Sequence, residues 1–229
     1  MTTTGYVLGH SERELERLGT QARLVDPITR HFFQAAGIVP GMRVLDVGSG
    51  AGHVALLAAE MVFDQPFDAV IGRYVLMFQN DSSAMLRKLA AHVRPGGTIV
   101  FHEPDWDGIR SFPPAPTYDR CCRWIVETLR LLGNETRMGK KLHATFLAAG
   151  LAAPSMGLEA FIGGGAKGAE GLTLIADLVE TMLPAMERVR VATADEAGLE
   201  TLAVRMIHEA VANDSVIVGR YEIGAWCRV

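Results

Sequence analysis

The chain has 229 residues and a formal net charge of −4, with 49% hydrophobic and 21% charged residues. This composition supports a hydrophobic core and excludes an intrinsically disordered chain. Lys and Arg are scattered without a dense basic tract, which argues against nucleic acid as a partner.

The N-terminus and the cysteines indicate the compartment. Residues 1–5 lack the charged-then-apolar pattern of a signal peptide, and the apolar run 54–63 is interrupted by Glu60 and too short to span a bilayer. The three cysteines form no CxxC pair, which suits free thiols in a reducing environment. We expect a soluble, cytoplasmic protein that contacts no membrane.

The first 37 residues predict two helices. Ser11 precedes a short helix that runs to about Gly19, with Glu14 at capping-box spacing. Pro27 opens a second helix that ends near Ala36. We interpret residues 1–37 as a helical lid.

Residues 38–112 alternate between predicted strands and helices. The strands are 42–47, 67–77 and 98–102, and the helices are 53–61 and 82–93. The second strand is almost continuously apolar, which is typical of a parallel strand covered on both faces. The alternation predicts a doubly wound α/β sheet as the core.

Residues 113–229 are less regular and are predicted to form cap helices and terminal strands. The helices are 118–132, 139–149, 170–189 and 195–212, and the strands are 156–162 and 216–229. No internal repeat or low-complexity tract divides the chain, so we expect one domain over residues 1–229.

The strongest functional pattern is V-L-D-V-G-S-G-A-G at residues 44–52. A strand runs into a glycine-rich turn and a helix follows at once, which exposes backbone amides to a ligand. A dinucleotide-binding turn has glycines at its first, third and sixth positions. Here the sixth position is His53, which disfavours a nicotinamide oxidoreductase; a purely structural turn is the other alternative.

Residues 41–104 resemble the class I S-adenosylmethionine-dependent methyltransferases, in particular small-molecule members similar to menaquinone and ubiquinone C-methyltransferases. Three blocks carry the resemblance: the glycine loop 44–52, the F-D-A-V-I-G-R-Y-V-L segment 67–76, and residues 89–101 with their R-P-G-G turn. The resemblance implies a Rossmann-like doubly wound sheet, mostly parallel with an antiparallel C-terminal strand. It also implies S-adenosyl-L-methionine as the cofactor.

The resemblance assigns the glycine loop to the cofactor. Gly48, Gly50 and Gly52, with Ser49 between them, would lie under its methionine and ribose part. Asp46 would orient the loop or reach the cofactor's amine through water.

Residues outside the loop would complete the cofactor site. Arg73, at the end of its strand, would lie beside the methionine moiety. Tyr6 and Gln21, together with His10, would fold over the cofactor as a lid, although a plain surface helix is the alternative for these three.

One segment of the family's core is missing. In this family a second strand, ending in an acidic residue that binds the ribose hydroxyls, follows the glycine loop, and a third strand comes after it. Here Asp68 follows Gly52 so closely that two strand–helix units, roughly 50 to 60 residues, are absent near 62–66. Asp64 and Asp68 precede a strand rather than follow one, so neither replaces the ribose carboxylate.

Either an internal stretch is omitted from the sequence as written or the deletion is real, and a real deletion has two predicted consequences. The first strand becomes a sheet edge, which predicts aggregation, a homodimer or a rebuilt edge. Cofactor binding becomes weak or is lost.

His102 and Glu103, after the third predicted strand, are the candidate catalytic residues. Either could act as general base for an acceptor that must lose a proton; a polar pair that merely closes a strand end is the alternative. The other histidines show no ligand spacing such as HExxH, so no metal is expected.

Two functional hypotheses remain. The first is an S-adenosylmethionine-dependent methyltransferase that acts on a small-molecule acceptor. The second is a cofactor-deficient, non-catalytic methyltransferase-like protein that serves as a scaffold or dimer partner. The intact glycine loop favours the first, and the missing ribose carboxylate favours the second.

Overall fold

The computed structural model describes residues 12–47 and 65–229. The strands are β1 (Val44–Asp46), β2 (Phe67–Arg73), β3 (Val93–Asp105), β4 (Arg110–Phe112), β5 (Ser155–Gly164) and β6 (Val216–Arg228). The α-helices are α1 (Glu12–Ala35), α2 (Ser82–Ala90), α3 (Pro116–Leu131), α4 (Met138–Ala148), α5 (Ala169–Arg188), α6 (Ala194–Ala197) and α7 (Leu199–Ala212). Short 3₁₀ helices lie at Leu76–Phe78, Trp106–Gly108 and Gly165–Gly168.

The strands form one mixed sheet in the order β1-β2-β3-β6-β4, with β5 paired to β6. β1 is parallel to β2 and β2 is parallel to β3, whereas β6 runs antiparallel to β3 and to β4. The predicted α/β sheet, Rossmann-like and mostly parallel with an antiparallel C-terminal strand, is therefore confirmed.

The N-terminal region differs from the sequence prediction. Two helices separated at Pro27 were expected, but α1 is continuous and contains Pro27 in its interior. Proline removes one helical hydrogen bond, which destabilises a helix but does not have to end it. Val25, Ile28 and Phe32 recur at helical spacing and are all buried, so packing along one face holds the helix together across the proline.

Local backbone geometry explains two further differences. β2 ends at Arg73, before its predicted end at residue 77, because Tyr74 has a left-handed conformation with a φ of 57°. The predicted helix 195–212 is split into α6 and α7 by Gly198, whose φ of 56° is also left-handed. Such a conformation interrupts a helix, and glycine adopts it without a steric cost.

The chain divides into two compact units. The sheet unit consists of Pro27–Asp105, Asn134–Glu159 and Tyr221–Val229. The helical unit consists of the residues up to Asp26 together with Trp106–Gly133 and Ala160–Arg220. The expected division of a single domain into lid, core and cap stays a prediction.

The helical unit has its own apolar core. α3, α5 and α7 contact one another, and Leu172, Val179, Met186 and Met206 are fully buried. Met186 and Met206 are therefore ordinary core residues of this unit.

Phe32 fixes α1 against the sheet of the sheet unit. A Cβ atom added to Gly224 on β6 would lie 2.5 to 2.8 Å from atoms of the Phe32 ring, and one added to Gly157 on β5 would lie 2.9 Å from the ring. The ring occupies space that any side chain at these positions would need. These two glycines therefore permit the close approach of helix and sheet.

We expect Gly224→Ala to lower the free energy of unfolding by about 1–3 kcal/mol, because the new methyl group overlaps the Phe32 ring in a packed core. Urea unfolding followed by circular dichroism would measure the loss. Gly164→Ala is the matched control, since its Cβ would lie 3.8 Å from Val216, an ordinary contact. Equal stability of the two variants would contradict the packing described here.

Candidate functional site

Two of the predicted site residues end parallel strands, and a third, His102, lies beside the second of them within β3. Asp46 ends β1, Arg73 ends β2, and His102 pairs with Arg73 in the β2–β3 register. Ligands of open α/β sheets bind outside the carboxyl ends of the strands. Asp46 is exposed and Arg73 is half-buried, so this edge presents both an acidic and a basic group.

β3 carries polar side chains into the core of the sheet unit. Residues 97–105 are buried without interruption, and His102, Glu103 and Asp105 are each 0% exposed. Polar groups removed from water destabilise a fold unless they find hydrogen-bond partners. The partners of these residues therefore describe how the site is built.

His102 lies at the centre of a buried polar cluster. Its Nδ1 atom is 3.0 Å from the Thr29 hydroxyl oxygen on α1, and its Nε2 atom is 2.9 Å from Oε2 of Glu222 on β6. Arg73 donates a hydrogen bond to the same Thr29 oxygen at 3.1 Å. Tyr74 donates its hydroxyl hydrogen to Glu222 Oε2 at 2.8 Å. We call these five residues the His102 cluster.

Aromatic rings enclose the imidazole of His102. The Phe32 ring meets it edge-on at 5.1 Å between centroids, and the Tyr74 ring does so at 5.4 Å. These contacts, together with the bonds to both ring nitrogens, fix the orientation of the imidazole. His102 is thus a rigid part of the core.

Glu103 points to the opposite face of β3, as alternation along a strand requires. Its carboxylate accepts hydrogen bonds from the backbone N–H groups of Val75, Leu76 and Met77, at 2.9, 2.7 and 3.2 Å. It therefore fixes the turn that follows β2. Burial raises the pKa of Glu103 to about 7, although the three backbone donors act in the opposite direction.

The remaining predicted site residues are not brought into this edge by the described structure. Gln21 lies on α1 and is half-buried. Five others lie outside the described residues: Tyr6, Gly48, Ser49, Gly50 and Gly52. The roles of all the predicted site residues stay predictions.

The described residues contain neither a metal-binding group nor a membrane-spanning helix. Within 12–47 and 65–229, no group of three or more His, Cys, Asp or Glu side chains is arranged to hold a metal ion. None of the helices in that part of the chain is both long and apolar enough to cross a membrane.

Sequence reasoning missed three members of the His102 cluster, namely Thr29, Tyr74 and Glu222. Glu222 left a signal, because it is the one acidic residue in β6, a segment rich in apolar side chains, and such residues are buried only when paired. Thr29 left no comparable signal, since a threonine on a helix is commonplace. Tyr74 follows Arg73 directly, but its left-handed backbone is not visible in the sequence.

Comparison with known proteins connects the chain with methyl transfer. Residues 16–123 match the family model described as protein-L-isoaspartate(D-aspartate) O-methyltransferase. Uncharacterized proteins from Mycobacterium tuberculosis and Mycobacterium bovis are 28% identical over 135 residues, which cover 40% of this chain and 49% of each relative. The match thus spans about half the length of these relatives.

Solved structures similar to this chain include a coclaurine N-methyltransferase bound to N-methylheliamine and S-adenosylhomocysteine, with a TM-score of 0.38 and 12% identity over 87% of this chain and 72% of that one. A cyclopropane synthase from Mycobacterium tuberculosis has a TM-score of 0.40 and 15% identity over 86% of this chain and 83% of that one.

The alignment with the mycobacterial relatives contains an internal shortfall. The alignment is 135 residues long, but it includes only 40% of the 229-residue chain, which is about 92 residues. About 43 aligned positions of the relative therefore have no counterpart in this chain. This shortfall agrees with the absence of an internal segment predicted from the sequence.

We expect Glu103 to make the stability of the chain depend on pH. The pKa of about 7 in the folded state lies above the ordinary value of 4.5, so the folded state binds the proton more tightly. The stabilisation from protonated Glu103 is complete below about pH 4.5 and is lost as the pH rises through about 7.

Urea unfolding of the native chain and of Glu103→Gln between pH 4 and 8 would measure this effect. The variant has no carboxyl group to titrate, so the difference in the free energy of unfolding between the two proteins should change with pH. Glu127→Gln, at an exposed position on α3, is the control and should follow the native curve. A pH-independent difference between native and Glu103→Gln would contradict the assignment.

Proposed function

We propose that this chain, a relative of the class I S-adenosylmethionine-dependent methyltransferases, transfers a methyl group from S-adenosylmethionine to a small-molecule acceptor. The supporting observation is that Asp46 and Arg73 end two adjacent parallel strands, with the buried His102 paired to Arg73 in the next parallel strand. The resemblance predicted from the sequence is confirmed by the match over residues 16–123. The predicted cofactor, S-adenosyl-L-methionine, is the one that this family uses.

The described residues fit the amino-acid end of this cofactor. An α-amino acid carries an ammonium group and a carboxylate, and the edge offers the exposed carboxylate of Asp46 and the half-buried guanidinium of Arg73. Opposite charges in these positions would orient the ligand. When bound, the cofactor supplies a methyl group activated by a positively charged sulfur.

The ribose end has no comparable partner among the described residues. Within residues 12–47 and 65–229, β2 is the strand that pairs with β1, so the free side of β1 offers no acidic strand end. Asp68 belongs to the fold instead, because it lies near the amino end of β2 and accepts hydrogen bonds from Arg94 at 2.6 Å and from the Arg43 backbone at 2.7 Å. These interactions, led by that of Arg94, lower the pKa of Asp68.

The second candidate function is a non-catalytic methyltransferase-like protein that acts as a scaffold or dimer partner. The observation that favours it is that, among residues 12–47 and 65–229, no strand pairs with the far side of β1 and none supplies a carboxylate there for the ribose. An unpaired strand edge also invites pairing with a second chain. Cofactor binding therefore distinguishes the two functions.

Calorimetric titration with S-adenosylmethionine is the test. We expect saturable binding by the native chain, weakened about tenfold in Asp46→Asn because one charge-assisted interaction is lost. Asp195→Asn, an exposed aspartate in the first turn of α6, is the control and should bind like the native chain.

The outcomes separate the two functions. Binding that Asp46→Asn weakens and Asp195→Asn preserves would support methyl transfer. A folded native chain that does not bind S-adenosylmethionine would rule out methyl transfer and leave the non-catalytic function.

A further inference from the structure

We infer that Tyr74 takes the proton from the methyl acceptor and passes its own to Glu222, while His102 acts from within the core as a positioning residue. The inference rests on the proposed function. It assigns proton transfer to two residues that the sequence did not indicate, Tyr74 and Glu222.

His102 is too enclosed to contact an acceptor. It is 0% exposed, and its two ring nitrogens lie 3.0 Å from Thr29 and 2.9 Å from Glu222. Direct contact with a ligand would require the ring to leave both partners and the Phe32 and Tyr74 rings around it. Each lost buried partner would cost free energy, so the structure favours an indirect role.

Glu222 is the proton acceptor of the His102 cluster. It is 4% exposed, and its Oε2 atom contacts both the Tyr74 hydroxyl and the His102 ring. The charge of Glu222 also contributes to the raised pKa of Glu103, so the two carboxyl groups repel when both are ionised. That repulsion is relieved when Glu222 accepts a proton.

Tyr74 links Glu222 to the carboxyl edge of the parallel strands. It is half-buried, whereas His102 and Glu222 are buried, and it follows Arg73 at the carboxyl end of β2. The Arg73 guanidinium lies 5.9 Å from the centroid of the Tyr74 ring, a cation–π contact that helps to hold the ring in place.

The backbone of Tyr74 supports a specific placement of its side chain. A bulky residue with a φ of 57° is unusual, and its backbone conformation is strained. The conformation is held by a 2.9 Å hydrogen bond from the Tyr74 N–H to the His102 carbonyl oxygen. Strain of this kind concentrates at functional sites, and here it accompanies the hydroxyl contact with Glu222.

The proposed step conserves protons and electrons. The acceptor's O–H or N–H hydrogen moves to the Tyr74 oxygen while the Tyr74 hydrogen moves to Glu222 Oε2. The acceptor atom would keep the electron pair with which it bonds to the methyl group; a bound S-adenosylmethionine would supply that group, and its sulfur would keep the electrons of the bond that breaks. Glu222 later releases its proton to water through Tyr74.

This arrangement specifies a class of acceptor. A base is useful only when the attacking atom carries a hydrogen that must leave. We therefore expect a small acceptor with a weakly acidic O–H or N–H group, of the phenol type. Acceptors that carry no such hydrogen, such as thioethers, would not use the Tyr74–Glu222 pair.

4-Nitrophenol is a direct probe, because its neutral and ionised forms absorb at different wavelengths. The dye is titrated at a pH that lies below its own pKa but above the ordinary pKa of a glutamate, so that the dye starts neutral and a carboxylate is present to accept its proton. The titration is done with the native chain, with Tyr74→Phe and with Glu222→Gln, in the absence of S-adenosylmethionine. We expect the native chain to produce the band of the ionised dye and both variants to lose that band. Tyr118→Phe is the control, since it removes a buried hydroxyl bonded at 3.0 Å to the Val218 carbonyl and should preserve the band.

The inference is overturned if Tyr74→Phe gives the same ionised band as the native chain, or if the native chain gives no band. Circular dichroism checks the fold of each variant. If Glu222→Gln does not fold, Tyr74→Phe alone tests the inference, because this substitution removes only one hydroxyl group from a half-buried ring. A native band without calorimetric binding of S-adenosylmethionine would refute methyl transfer while leaving the proton transfer by Tyr74 in place.

Discussion

The architecture of the sheet unit depends on the desolvation of one strand. β3 is buried from residue 97 to residue 105, and its last part carries His102, Glu103 and Asp105. Burying such groups without partners would cost more than the stability that a domain of this size has to offer. The surrounding elements are accordingly arranged as partners: α1 and β6 for His102, the turn after β2 for Glu103, and Lys140 on α4 at 3.4 Å from Asp105.

The same constraint links structure to function. Alternation along β3 sends His102 and Glu103 to opposite faces, so the two predicted catalytic residues have different surroundings. Glu103 is engaged by three backbone N–H groups and fixes the turn. His102 joins a cluster that reaches the carboxyl edge of the sheet through Glu222 and Tyr74. Polar groups that stabilise the core thereby place a hydroxyl where a ligand of an α/β sheet would lie.

The shortened core leaves this edge largely in place. Asp46, Arg73 and His102 belong to three strands that remain adjacent and parallel. The missing segment concerns the other side of β1, where the family binds ribose and adenine. Under the proposed function, the amino-acid end of the cofactor and its nucleoside end would depend on different parts of the sheet, so a deletion would affect one end while it spares the other.

The sequence by itself determined the fold class, the family resemblance and the missing segment. These depend on local patterns: the apolar runs at 44–47 and 67–73, the turn signals between them, and the glycine spacing at 48–52. Tertiary structure decided how Pro27 is accommodated inside α1, where β2 ends, and which residues meet His102. Thr29, Tyr74 and Glu222 come from three elements far apart in the chain. Their proximity arises from strand register and helix packing, which depend on the free energy of burying the whole sheet and are not encoded in any short pattern.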